Sequence, residues 1–326
     1  MTIIFRFAAI VLATLFAALP AQAQDPVKLR ASVVAKTFGF AALWVASKQG
    51  FFNQQKLDVE ILLIRGSDVS TQALAGGSLQ VSGASSDAPI AAFDRGLDMV
   101  IIGGIINGLS QSVMAGKNYK SYEELRGATL GANSLTAGTA FAFRRVLKAK
   151  GLEFPRDYKL INVGATPQAL AALASGQIAA APLSLPVNFV AEEQGFNTIG
   201  RFIDVIPHYQ LSVYSVMRPW AEKNRAIVVR FMKSIVLACR WIYGNKDAAV
   251  DLLAKEMGLK REYSRKGWEF YTEKGLWHPN GDVTLEGLGI VAQIYAEQNQ
   301  LKAPPSAAKF VDQSYLREAL KELGAR

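Results

Sequence analysis

Eight consecutive residues, Met99 to Ile106 (MVIIGGII), carry no polar side chain. A strand of this kind has neither face fit for water, so it needs cover on both sides, as in a largely parallel sheet flanked by helices. The chain before it alternates accordingly. Val27 to Val34 and Leu57 to Ile64 read as strands, separated by a helix through Leu43, Trp44, Ala46 and Ser47 that Gly50 closes. Val69 to Ala75 reads as a helix ended by Gly76-Gly77, and Leu79 to Gly83 as a third strand. Pro89 fits the first turn of the next helix, with Asp87 in capping position. Such alternation predicts an α/β fold with mostly parallel sheets.

A second unit repeats the plan from Tyr122. Leu125 to Gly131 reads as a strand, Asn133 to Thr139 as a loop of small polar residues, and Ala140 onward as a helix spaced by Phe141, Val146 and Leu147. A helix start exposes unpaired N–H groups at the positive end of its dipole, which favours accepting or negative ligand groups. Ser134, Thr136 and Thr139 add hydroxyls there; an ordinary capped helix start is the competing reading. Tyr158 to Val163, Gln168 to Leu173 and Ile178 to Ala181 continue as strand, helix and strand, followed by the loop Pro182 to Pro186. The segment from Ala73 to Gln80 (ALAGGSLQ) resembles that from Ala172 to Ala179 (ALASGQIA), 99 residues later and at the same place in its unit. Two similar lobes are implied. After an apolar run from Gln210 to Met217, the pattern turns helical, at about 219–243, 246–257, 261–272, 284–298 and 312–323, and these helices are expected to pack back on the first lobe.

A length of 326 residues suits two domains. The net charge of +9 comes from scattered Lys and Arg with no basic block and no interleaved aromatics, so nucleic-acid binding is not indicated. Residues 1–23 form an apolar leader whose one charge is Arg6. The run from Phe7 to Leu19 is short for a membrane span, and Ala21-Gln22-Ala23 suits a signal peptidase. Export and cleavage after Ala23 are expected, with no lipid anchor, leaving a soluble periplasmic chain. Cys239 is the only cysteine; it falls in a helical apolar pattern and reads as a buried, inert thiol.

The run from Leu43 to Phe52 (LWVASKQGFF) with Leu57-Asp58-Val59-Glu60, the Ala73–Gly77 and Ala172–Gln177 segments, and Tyr122-Glu123-Glu124-Leu125-Arg126-Gly127 together resemble one family. It is that of the periplasmic solute-binding proteins serving ATP-driven (ABC) importers of nitrate, taurine and aliphatic sulfonates, with pyrimidine-precursor binders in the wider group. The resemblance covers residues 27 to 255; Gln80 and Ala179 stand where that family often has Asp. It implies a two-lobed, type II periplasmic-binding-protein fold: lobe 1 in 24–114, lobe 2 in 115–209, and a return strand with C-terminal helices in 210–326. It implies crossings near 112–117 and 207–213, a ligand clamped between the lobes, closure by hinge motion and delivery to a membrane permease. A small organic anion is the expected ligand, with no cofactor, no metal and a monomeric chain.

Ligands of open α/β sheets sit beyond the carboxyl ends of the strands. That rule selects Thr37, Phe38, Phe40, Ser85, Ser86, Asp87, Asn107, Ser134, Thr136, Thr139, Ser184 and Tyr214, together with the turn at Ser67–Asp68. Ser85, Ser86, Thr136 and Thr139 are expected to donate hydrogen bonds, Phe38, Phe40 and Tyr214 to form an apolar wall, and Asp87 to cap its helix. Arg65 and His208 are outlying candidates. An enzyme of the same fold, a desulfinase or a pyrimidine-precursor synthase, is the rival reading, as is the ligand-binding subunit of a sensor. Nucleophilic catalysis would need a base beside Ser or Cys. Only His208 and His278 are available, and no Gly-x-Ser-x-Gly elbow or Gly-rich phosphate loop occurs.

Overall fold

The computed structural model describes residues 25–133, 135 and 138–324; the leader, Ser134 and Thr136 lie outside that set. Strand β1 (Val27–Val33) leads through a short 3-10 turn to α1 (Ala41–Lys48) and α2 (Phe51–Gln54). Then come β2 (Leu57–Leu63), α3 (Ser67–Ala75), β3 (Val81–Ser85), α4 (Asp87–Asp94) and β4 (Met99–Ile106). The second lobe holds β5 (Ser112–Ala115), β6 (Thr129–Ala132), α5 (Gly138–Ala149), β7 (Lys159–Asn162), α6 (Thr166–Ala174), β8 (Ala180–Leu183), α7 (Val187–Glu193) and β9 (Asn197–Arg201). The chain then returns as β10 (Ser212–Met217) and continues with α8 (Arg218–Lys223), α9 (Arg225–Gly244), α10 (Lys246–Met257), α11 (Arg261–Glu273), α12 (Leu285–Gln298) and α13 (Ser314–Glu322).

Two five-stranded sheets result, ordered β2-β1-β3-β10-β4 and β7-β6-β8-β5-β9. In the first, β1 pairs in parallel with β2 and β3, and β10 inserts antiparallel between β3 and β4. In the second, β6 is parallel to β7 and β8, and β5 inserts antiparallel between β8 and β9. Each antiparallel insert is the first strand formed after the chain has changed lobes. The sheets are therefore mixed, with their parallel strands on one side. Every residue of β4 is buried, as its composition requires.

The sequence echo is a repeated turn. Helices α3 and α6 both end in a glycine at φ +73°, Gly77 and Gly176. The next amide bonds back to the helix in each, Ser78 N–H to the Ala73 carbonyl at 2.9 Å and Gln177 N–H to the Ala172 carbonyl at 3.0 Å. A left-handed residue at this position ends the helix and aims the chain into β3 or β8.

Two expectations shift. The strand read from Leu125 to Gly131 is a 3-10 turn at Glu123–Leu125 and then β6; Gly127 at φ +77° breaks the extended run between them. The helix read over 219–243 is two, α8 and α9, separated at Asn224, whose φ of −120° is not helical. The stripe Val228, Phe231, Met232, Ile235, Cys239 and Ile242 buries α9 in the lobe 1 core, at the spacing that puts residues on one helix face. The C-terminal region packs on lobe 1 and also reaches lobe 2: Leu288, Val291 and Ile294 of α12 join the cluster that contains Leu130 and Phe143.

Candidate functional site

The carboxyl ends of the parallel strands β1, β3 and β6 open on the space between the lobes, where a cleft of about 640 Å³ lies. Lobe 1 contributes Thr37 and Phe40 after β1, Ser67 and Asp68 at the start of α3, and Ser85 and Asp87 where β3 passes into α4. Lobe 2 contributes Asn133 after β6 and Gly138 and Thr139 at the start of α5. Gln111, Tyr209 and Ser212, on the segments that cross between lobes, complete the floor with Ile106 and Leu211. Three helix starts thus face one space, each with N–H groups that no carbonyl of its own helix accepts from. A hollow of about 700 Å³ beside Arg144, Arg145 and Phe154, on the outer face of α5, takes no lining residue from a strand end.

Below the cleft, α3 is fixed by a buried chain of hydroxyls. Ser70 lies 2.7 Å from Ser32 on β1 and 2.7 Å from Ser82 on β3. The Ser85 amide donates to the Ser67 hydroxyl at 3.3 Å. The start of α3 is therefore held to the two strands whose ends line the cleft.

Of the residues selected from sequence, Thr37, Phe40, Ser85, Asp87 and Thr139 line the cleft. Ser86 and Asn107 are turned to structural partners. The Ser86 hydroxyl donates to the Gln210 carbonyl, and Asn107 donates to the Asp282 carbonyl at 2.9 Å while accepting from Gln210 at 2.9 Å. Phe38 is fully buried between Tyr271 and Trp277, with ring centroids 6.1 and 6.2 Å away. Tyr214 is likewise buried, edge-on to Phe231 at 5.6 Å. Neither ring is among the lining residues of the cleft; each is taken up by aromatic partners in the lobe 1 core. Ser184 is not among the lining residues; its carbonyl accepts the Val187 and Asn188 amides at the start of α7. His208 stands outside the lining, 3.4 Å from the Glu286 carboxylate, and Arg65 is outside it as well.

Gln111, Tyr209 and Ser212 were not selected from sequence, although Tyr214 was admitted near the return crossing. The signal available was the expected crossing, since any residue between lobes must pass the cleft. Gln111 is nine-tenths buried; its backbone carbonyl accepts from the Phe202 amide at 3.0 Å, while its side-chain Oε1 has no hydrogen-bond partner among the described residues. The Tyr209 hydroxyl stands 3.4 Å from where a Cβ on Gly138 would be, at the start of α5. Burial, and then the Asp87 carboxylate, push the Tyr209 hydroxyl well above its ordinary pKa, so it is neutral and able to donate.

The charge of the cleft is one-sided. Asp68 and Asp87 line it, while no Lys, Arg or His does among the described residues. The nearby Lys36 is engaged elsewhere, 3.6 Å from Glu256 and over the Trp44 ring. Two hydroxyl protons are already committed: Ser85 donates to Asp87, and Thr139 donates to Asn133 at 2.9 Å. Cys239, expected to be inert, is buried in α9 away from the cleft, and burial pushes its thiol up to about 12.

Two α/β lobes exchanging one antiparallel strand each, with helix starts converging on a polar cleft between them, define the class of two-lobed solute-binding folds. Within that class the chain belongs to the NMT1/THI5-like family, whose model matches residues 37–249. It is similar to a protein of Brucella abortus (strain 2308) that bears the name of a binding protein with no stated ligand, 25% identical over 287 residues, covering 86% of this chain and 88% of the relative. The periplasmic aliphatic sulphonate binding protein SsuA of Escherichia coli has the same fold, with TM-score 0.71 and 19% identity over 90% of this chain and all of that one. The desulfurization enzyme DSZB, solved as a mutant in complex with biphenyl-2-sulfinic acid, also shares it, with TM-score 0.73 and 15% identity over 91% of this chain and 99% of that one. At such identities the likeness is one of fold.

Proposed function

We propose that this protein is the binding component of an ATP-driven importer, which clamps a small organic molecule with an acidic head between its lobes and delivers it to a membrane permease. The observation that carries this reading is the cleft itself: helix starts from both lobes face one polar space across two crossing segments. An acceptor-rich head would lie against the α5 start, where the Gly138 and Thr139 amides and the Tyr209 hydroxyl supply donors. The acidic head follows the sulphonate named for the similar Escherichia coli protein. Residues 1–23 would direct export and be removed, leaving a periplasmic monomer; among the described residues no helix is long and apolar enough to cross a membrane. Ser134 and Thr136 would complete the loop before α5.

The enzyme reading rests on the shared fold of the desulfurization enzyme. Binding without turnover is favoured because neither histidine nor the cysteine lies in the lining, which leaves Ser85 paired with Asp87 and no imidazole between them. The test is a thermal-shift screen of residues 24–326 against millimolar sulfonates, carboxylates, nitrate and pyrimidines. A ligand at about 1,000 times its Kd adds roughly 4 kcal/mol, visible as several degrees. A stabilising compound recovered unchanged supports binding, and one that is consumed supports an enzyme.

A further inference from the structure

The cleft is short of positive charge and rich in free acceptors, and this has a bearing on what fills it. Asp68 and Asp87 line it without a facing Lys, Arg or His among the described residues. The loop residues outside the described set, Ser134, Thr136 and Ala137, add no ionisable group. Ser85 and Thr139 have their hydroxyl protons on Asp87 and Asn133, so toward a ligand their oxygens accept. The decisive observation is separate from the two acids. Gln111, 8% exposed, lines the same cleft, and its side-chain carbonyl oxygen has no hydrogen-bond partner among the described residues. A buried acceptor left unpaired costs about 1–3 kcal/mol, and of the buried unpartnered side-chain atoms among the described residues this one alone belongs to a residue lining the cleft, where a ligand donor would relieve the cost. The donors the cleft offers, the α5 start and the Tyr209 hydroxyl, meet around Gly138.

We infer that the ligand is amphoteric: besides an acidic or carbonyl head, it carries an amino or protonated nitrogen group, which Asp87 and Gln111 recognise. Asp87 supplies the charge and Gln111 the neutral acceptor, while Asp68, more exposed at the rim, attracts the cationic end without desolvating it. A simple oxyanion or a bare carboxylate would sit beside two carboxylates with no counter-charge and leave Gln111 unpaired. Such ligands are therefore selected against by the same groups that select the aminated one.

This inference rests on the binding reading above and is tested so that the two fail separately. Thermal shift and calorimetry on residues 24–326 would use pairs differing by one amino group: taurine and ethanesulfonate, β-alanine and propionate, 4-aminobenzoate and benzoate, 4-aminopyrimidine and pyrimidine, with nitrate as the bare anion. The expected result is at least tenfold tighter binding of the aminated member of the best pair, with the difference lost in Asp87→Asn, which keeps the volume and the Ser85 contact. Equal or tighter binding of the unaminated members or of nitrate would overturn the inference and leave the binding reading standing. No shift from any compound would count against both. The pairwise comparison on the unaltered protein needs no variant, so a failure of Asp87→Asn to fold does not shield the inference.

Discussion

The Tyr263 hydroxyl on α11 donates to the Glu193 carboxylate on α7, tying the C-terminal region to lobe 2. The contact lies beside a ring stack, Phe189 on Tyr263 at 6.2 Å, and Lys260 stands 3.5 Å from the same carboxylate. Lobe 2 is therefore held by an outer contact as well as by the two crossings. Gly267 on the same helix leaves room for Phe38 of lobe 1, which a Cβ there would meet at 2.9 Å.

Tyr263→Phe keeps the stack and removes the hydrogen bond, so its effect should depend on pH. Glu193 is held below the ordinary carboxylate range, first by the Tyr263 hydroxyl and then by the Lys260 charge against partial desolvation. A depressed folded pKa contributes stability that is present above the unfolded value, about 4.3, and lost as pH falls through the folded value. The variant should melt lower than the parent at pH 7, and the gap should close toward pH 3. A gap of constant size from pH 7 to pH 3 would mean that the carboxylate is not the partner.

Gln111→Leu should separate stability from binding. Removing an unpaired buried acceptor relieves a desolvation cost, so the ligand-free protein should be as stable as the parent or more so. Affinity for the best ligand of the screen should fall about tenfold, the loss of roughly one hydrogen bond. Denaturant midpoints and calorimetry on the same preparation read both effects.

Gln210 stands at the return crossing and is fully buried. Its amide nitrogen donates to Asn107 and to the Ser212 carbonyl, each at 2.9 Å, and its oxygen accepts from the Thr284 amide at 2.9 Å. It ties both crossings to the start of α12. Gln210→Leu leaves those partners unpaired at similar volume and should cost about 1–3 kcal/mol or more in urea unfolding. A neutral result would show that water replaces the side chain.

Gly104 on β4 is in contact with the turn before α12: its amide donates to the Gly281 carbonyl at 2.8 Å. A Cβ there would collide with the Asp282 carbonyl oxygen and stand 2.8 Å from the Asn107 side-chain oxygen. Gly104→Ala should lower stability by about 1–3 kcal/mol through overpacking, seen as a shift in urea midpoint without a change in slope.

Much of this architecture was legible from local pattern. The apolar run Met99–Ile106 required a doubly covered strand, and the paired turns at Gly77 and Gly176 marked equivalent places in two lobes. The strand-end rule brought Thr37, Phe40, Ser85, Asp87 and Thr139 to one cleft. It reached Phe38 and Tyr214 as well, whose rings pack in the core. Pattern fixes which loop a residue is on, while the direction of a side chain depends on what packs behind it. Trp277 and Tyr271, more than two hundred residues away in the chain, take up Phe38, and no local signal announces them.

The sequence by itself determined the alternation of strand and helix, the likeness of the two lobes and the loops from which a site is drawn, because these follow from periodicity and from the φ angles that glycine permits. Tertiary structure alone decided that Gln111 and Tyr209 complete the cleft, that two carboxylates line it with no facing cation among the described residues, and that Tyr263 reaches Glu193. Those facts depend on where a chain crosses between lobes and which distant side chains meet there. Burial sets the energy of such meetings, and burial is a property of the assembled fold.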